Sequence, residues 1–200
     1  MSLLGQNFEG EIKYEIKYFR IDNGKEVQHN DLKNIAGTKS ILLVKNGYEK
    51  QITNSQHYSI TVLSLSENRM YYKNSPKNDT LFFFDLNKFH NTPFDYEVIK
   101  NVDTIAGYPC NKLIYKNSGD NNMTFYYAPE LSLDPKYYMN VRISNHNKLK
   151  EIMKSYFLRS DNYAGELVIR RVANEVIERK ISDKELTLPP HKVLIEKYGR

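Results

Sequence analysis

FEGEIKYEIKYF, residues 8–19, is the stretch whose reading decides the fold. Phe8, Gly10, Ile12, Tyr14, Ile16 and Tyr18 share one parity, and Glu9, Glu11, Lys13, Glu15 and Lys17 share the other. That is a period of two, the repeat of a β-strand. A helix would scatter the charged groups around its whole cylinder. A strand keeps them in water and turns every large apolar group to one face. The remainder of the chain must supply the other strands of the sheet and something for that face to cover.

The same alternation and turn chemistry recur downstream. Asp22-Asn23-Gly24 closes the first strand, and Asn30 or Asp31 caps a short helix through Leu32, Ile35 and Ala36 that Gly37 ends. Residues 40–53 read as a hairpin, because ILLV is β-rich and Asn46-Gly47 favours a type I′ turn. Residues 58–65 and 70–72 form a second hairpin about Glu67-Asn68, and strands come next at 81–86 and 96–102. A polar turn at 117–122 separates strands 112–115 and 123–128; Pro129 is expected to stop the latter. Asp134-Pro135 is an N-cap followed by proline at the first helical position, opening a short helix through Tyr137 and Tyr138. Leu149, Ile152, Met153, Tyr156 and Phe157 have helical spacing, read as a helix turning into strand near Ser155. Residues 166–181 alternate again, with Leu167, Ile169 and Arg171 on one parity, and 186–189 read as a last short edge element with a frayed tail beyond Ile195. Strands every eight to twelve residues with little helix between them imply one curved antiparallel sheet or a barrel.

Two hundred residues suit a single domain over 1–200, with 1–7 as a loose start. A chain of this length buries about 70% of its unfolded surface without staples. The apolar runs are far too short to cross a bilayer as helices, and residues 1–7 lack the charged and apolar regions of a signal peptide. The net charge of +5, from 29 basic and 24 acidic residues, is spread along the chain rather than gathered into a nucleic-acid footprint. Sixteen Tyr, nine Phe and no Trp suit half-buried strands, since a tyrosine ring packs while its hydroxyl stays wet. Cys110 is the only cysteine, so there is no internal disulfide.

Four segments together, FEGEIKYEIKY at the start, IAGYPCNKLIY at 105–115, FYYAPELSLDPKYY at 125–138 and ISDKELTLPPHKVL at 181–194, resemble the β-rich envelope proteins related to the periplasmic lipoprotein carrier LolA. The likeness covers about residues 8–194 and is closest to the uncharacterised branch of that group, which shares a Gly-Tyr-x-Cys segment and a late Leu-x-Leu-Pro ending. It implies a mainly β fold, a half-open antiparallel β-barrel with short helices covering the open side. It also implies the periplasm or an outer-membrane surface, acyl chains held inside in the true carriers, and anchoring through a lipidated cysteine upstream of these residues.

Catalytic chemistry finds little support. His29, His57, His90, His146 and His191 stand at no metal-ligand spacing, so no metal site is assigned. Cys110 has no activating histidine signature and reads as a buried structural thiol. Glu9, Glu11 and Glu15 alternate with lysines, as on a solvated strand face. Phosphate loops and nucleophile elbows are missing, so neither an enzyme nor a cofactor is expected. Two readings stay open. In one, Tyr14, Ile16, Phe82, Phe84, Phe125 and Tyr127 are walls of a site for a lipid or acyl chain, with Leu131, Tyr137 and Tyr138 on a lid. In the other, the same residues fill a solid core and exposed tyrosines, Tyr71, Tyr72 and Tyr126, meet a protein or glycan partner of the envelope.

Overall fold

The computed structural model describes residues 7–27, 30–117 and 122–198. Residues 1–6 of the loose start expected at 1–7, and 118–121 of the polar turn expected at 117–122, lie outside them. Twelve strands form one sheet: β1 (Gly10–Arg20), β2 (Lys39–Lys45), β3 (Tyr48–Thr53), β4 (Ile60–Ser64), β5 (Arg69–Lys73), β6 (Thr80–Asp85), β7 (Phe94–Ile105), β8 (Tyr108–Asn117), β9 (Met123–Ser132), β10 (Ser155–Ala164), β11 (Leu167–Glu178) and β12 (Val193–Glu196). Their order is β12-β6-β5-β4-β3-β2-β1-β11-β10-β9-β8-β7, an open sheet with β12 and β7 at its edges. Neighbours are antiparallel except β12 and β6. The molecule is therefore mainly β, with a few short helices. The opening strand sits near the middle because β1 pairs with β2 on one side and with β11 on the other.

Local chemistry sets the corners. Asn46 and Gly47, with φ of 48° and 83°, make the two left-handed positions that a type I′ turn needs between β2 and β3. Register shifts bend the sheet where one strand carries one or more extra residues, between Lys13 and Tyr14 opposite β11, around Phe157 in β10, and between Ile99 and Asp103 in β7. Pro129 does not stop β9, which continues to Ser132. The ladder between β9 and β10 is irregular over that stretch, so the missing N–H of proline costs no regular bond.

Among the described residues three α-helices flank the sheet: α1 (Asn30–Ala36), α2 (His146–Met153) and α3 (Asp183–Leu186). No described helix is long and apolar enough to cross a membrane. A 3-10 turn at Pro135–Tyr138 has Asp134 as its cap, its carboxylate accepting from Lys136 N, as the Asp-Pro pair predicts. α2 is amphipathic: Leu149 and Met153 drop onto Leu113, Tyr115, Phe125 and Tyr127. Its entry residue Asn145 makes no cap bond; it instead holds Thr92 through three bonds and Tyr115 Oη through a fourth.

Residues 181–197 depart from the edge element expected at 186–189. They form α3, an extended strap and then β12, and Lys197 N still donates to Phe83 O, so the segment past Ile195 is tied down rather than frayed. The strap crosses the outer face. Ile181 N donates to Glu9 Oε1 at 2.7 Å, Lys50 Nζ reaches Glu185 O and Thr187 O, and Lys73 Nζ reaches Pro190 O. The Ile181 N–H holds the Glu9 carboxyl below its usual range despite partial burial. Glu11 likewise meets Arg179 at 3.0 Å. Glu9 and Glu11 are thus strap anchors, not merely solvated charges. Beneath the strap Leu188 packs on Val62, Tyr71, Leu81 and Phe83.

Candidate functional site

Cross-strand register defines the inner face, the one that carries Tyr14. One row runs Ile12, Leu42, Gln51, Thr61, Tyr72, Phe82, and the next runs Gly10, Val44, Glu49, Leu63, Met70, Phe84. A third runs the other way from Ile16 through Arg171, Ser160 and Phe125 to Leu113. All six wall residues read from the sequence, Tyr14, Ile16, Phe82, Phe84, Phe125 and Tyr127, therefore share one face.

Their surroundings differ along it. Tyr14, Leu131 and Tyr138 belong to one packed cluster, with Tyr137 against it, and Phe125 and Tyr127 belong to a second beneath α2. Leu131 lies in β9, not on a lid; only Tyr137 and Tyr138 come from the 3-10 turn. At the other end Phe82 and Phe84 are half-buried. Tyr72 stacks between them at centroid distances of 5.2 and 5.3 Å, and Tyr58, 49% exposed, lies tilted against Tyr72 at 4.5 Å. This is an aromatic shelf with one side available. Tyr71 and Tyr72 are buried, the first by the strap and the second by its aromatic neighbours, so neither is the exposed contact expected of an interaction surface. Tyr126 is half-buried under Arg159 at 4.4 Å.

Between these parts lies a polar lock that joins both helical covers to the sheet. Tyr138 Oη donates to Glu49 Oε1 at 2.9 Å, and Lys150 Nζ of α2 donates to the same oxygen at 2.9 Å. The hydroxyls of Tyr138 and Tyr156 are 2.9 Å apart. Because Tyr138 spends its proton on Glu49, Tyr156 is the donor of that pair. Lys150 Nζ also sits over the rings of Tyr156 and Tyr138, at 4.3 and 4.8 Å. Burial pushes the Glu49 carboxyl up, but the Lys150 charge, the electrostatic effect of His146 and the two hydrogen bonds together hold it below its usual value. Burial raises the Tyr138 and Tyr156 hydroxyls well above theirs. The His146 ring lies tilted against Tyr138, with centroids 5.6 Å apart; burial first, and then Lys150, push its imidazole down to about 4 against the pull of Glu49.

Arg171 is the odd group on this face. Its guanidinium covers the Tyr14 ring at 4.3 Å and lies 5.9 Å from the Phe157 ring. Its Nε and Nη2 are buried and have no acceptor among the described residues, and neither has Ser40 Oγ, which pairs across from Tyr14. Burial pushes the guanidinium down, opposed by Tyr14 and Glu49. Glu49, His146, Phe157 and Arg171 nevertheless each keep some accessible surface.

The opposite face carries a groove of about 490 Å³ edged by Lys17, Phe19, Asp103, Arg159 and Arg170. There Asp161 takes two two-pronged guanidinium contacts, from Arg159 and Arg170, at 2.6 to 3.1 Å. Both desolvation and that double clamp act on Asp161, and the clamp wins: its carboxyl is held down. Cys110 is buried, its Sγ donates to Tyr108 O at 3.3 Å, and burial pushes its thiol up, away from the thiolate a nucleophile needs. No group of three metal-ligating side chains occurs among the described residues.

Glu49, Lys150, His146 and Arg171 were not singled out from the sequence as site residues. A signal existed for two of them: Glu49 interrupts a hairpin arm, and Arg171 continues the parity of Leu167 and Ile169, where an apolar residue belongs. No family model matches the chain, and no curated protein matches it.

Proposed function

We propose that this chain is a non-enzymatic binder of an apolar ligand, a lipid or acyl chain, held on the inner face of a LolA-like open barrel in the Gram-negative envelope. The observation that carries the reading is the inner face itself. Six aromatic and aliphatic wall residues share it, a half-buried aromatic shelf continues it, and its cover is fastened through one carboxylate, Glu49. An acyl chain gains about 25 cal/mol for each Å² of apolar surface that leaves water, so retention needs no covalent step or cofactor. The resemblance to the lipoprotein-carrier group supports the same class of ligand. Entry requires release of Lys150 and Tyr138 from Glu49, which removes the polar tie that α2 and the 3-10 turn share.

Native mass spectrometry with solvent extraction, alongside uptake of an environment-sensitive fluorescent fatty acid, tests this. The wild-type chain is expected to take up one acyl chain. Phe84→Asp, which puts a carboxylate on a half-buried shelf position, is expected to reduce uptake at least tenfold while the fold survives. A clean unliganded mass with no probe uptake would overturn the reading in favour of a filled core that serves a protein or glycan partner.

A further inference from the structure

The inner face does not balance its own charge. Glu49 and Lys150 neutralise one another at 2.9 Å, and burial and Lys150 keep the His146 imidazole neutral at physiological pH. That leaves Arg171, whose Nε and Nη2 have no acceptor among the described residues. A guanidinium does not escape such a position by losing its proton. The rings of Tyr14 and Phe157 offset part of the desolvation, but a ring face cannot accept the in-plane hydrogen bonds of the fork. Its row neighbours Ile16 and Ser160 offer no carboxylate. The contrast with the opposite face is direct, since there the two guanidiniums of Arg159 and Arg170 share Asp161, and Lys17 and Asp103 are also of opposite sign. The unpaired charge is inside.

We propose that Arg171 anchors the anionic head group of the bound ligand, a carboxylate or phosphate attached to an apolar chain, with the guanidinium fork donating to its oxygens. The inference rests on the binding function above and narrows it from apolar chains in general to anionic amphiphiles. The Tyr14 ring lies under the fork and Phe157 flanks it, and Ser40 Oγ, also without a partner among the described residues, lies across from Tyr14 on the same face. A planar fork matches a carboxylate or a phosphate in two-pronged fashion, which an ammonium does not.

The test compares three probes on the full chain: oleate, a monooleoyl glycerol phosphate, and neutral monoolein, each measured by native mass spectrometry titration. Both anions are expected to bind at least tenfold more tightly than monoolein, as a charge-assisted hydrogen bond implies. The stronger of the two anions identifies the head group as carboxylate or phosphate. Arg171→Met is expected to bring all three probes within about twofold of each other and to raise the melting temperature of the unliganded chain. Arg171→Lys, which keeps the charge and loses the fork, is expected to retain only part of the preference. Equal binding of all three probes to the wild type, or a preference that survives Arg171→Met, would overturn the anchor and leave the binder intact. Binding of none of them would overturn the binder itself, and the anchor with it.

Discussion

His146 shows how one residue on the inner face makes stability depend on pH. Its imidazole, ordinarily near 6.5, is held down to about 4, chiefly by burial and then by Lys150. Between those values the unfolded chain binds a proton that the folded chain does not, so stability falls as pH falls through that window. The loss between pH 7 and pH 5 should be about 1–2 kcal/mol. Glu49 acts lower: its carboxyl is depressed, so its contribution is present above the ordinary value of 4.5 and disappears only as pH drops beneath it. Urea midpoints of the wild type at pH 7 and pH 5 should therefore differ, and His146→Gln should remove most of that difference. An unchanged slope in the variant would place the titrating group elsewhere. At this scale the sequence was legible only where residues repeat. Tyr14, Ile16, Phe82, Phe84, Phe125 and Tyr127 were found because period two fixes a side chain's face. Glu49, Lys150 and His146 come from β3 and α2, about a hundred residues apart, and no local period connects them.

At the scale of elements, the cover depends on a contact between a hairpin and a 3-10 turn. Gly47 occupies the left-handed region at φ +83°, and a Cβ there would stand 2.5 Å from Tyr137 Cβ and 2.6 Å from Leu65 Cδ1. Gly107 has nearly the same backbone, φ +86°, with nothing within 4 Å of such a Cβ. The two positions separate backbone strain from docking. Gly107→Ala should cost only the strain of a left-handed residue, about 1 kcal/mol. Gly47→Ala should cost about 2–3 kcal/mol, the excess coming from overpacking against the 3-10 turn. Hydrogen exchange should then rise at residues 135–141 in the Gly47 variant and not in the Gly107 variant, because displacing the turn also draws Tyr138 away from Glu49. Equal costs and no local exchange would mean that the turn yields freely. The Asn-Gly pair revealed the hairpin, and Asp-Pro revealed the 3-10 turn, through chemistry confined to four residues. That the two meet was not legible, since glycine at a type I′ corner looks the same whether or not something packs on it.

A twelve-stranded sheet has two faces to cover, and this molecule covers them by different means. α2 and the 3-10 turn close the inner face with apolar side chains, a pattern the helical spacing of Leu149 and Met153 made visible. The strap closes the outer one largely with backbone carbonyls that accept from Lys50 and Lys73, and carbonyls leave no trace in a sequence. Prolines at 189 and 190 marked an extended stretch but not where it would lie. One apolar contact it makes is Leu188 against Val62, Tyr71, Leu81 and Phe83. Leu188→Asp should therefore loosen the whole strap rather than one side chain, because a carboxylate there must leave the cluster to stay hydrated. We expect a loss of about 2–3 kcal/mol in urea unfolding. Limited proteolysis should newly cut within residues 179–192, and light scattering should show self-association as Tyr71 and Phe83 become accessible. Ligand uptake should persist in the fraction that stays monomeric, since the strap and the aromatic shelf lie on opposite faces of the sheet. Loss of uptake in that monomer would instead mean that the two faces are coupled through β5 and β6, whose alternate residues serve both.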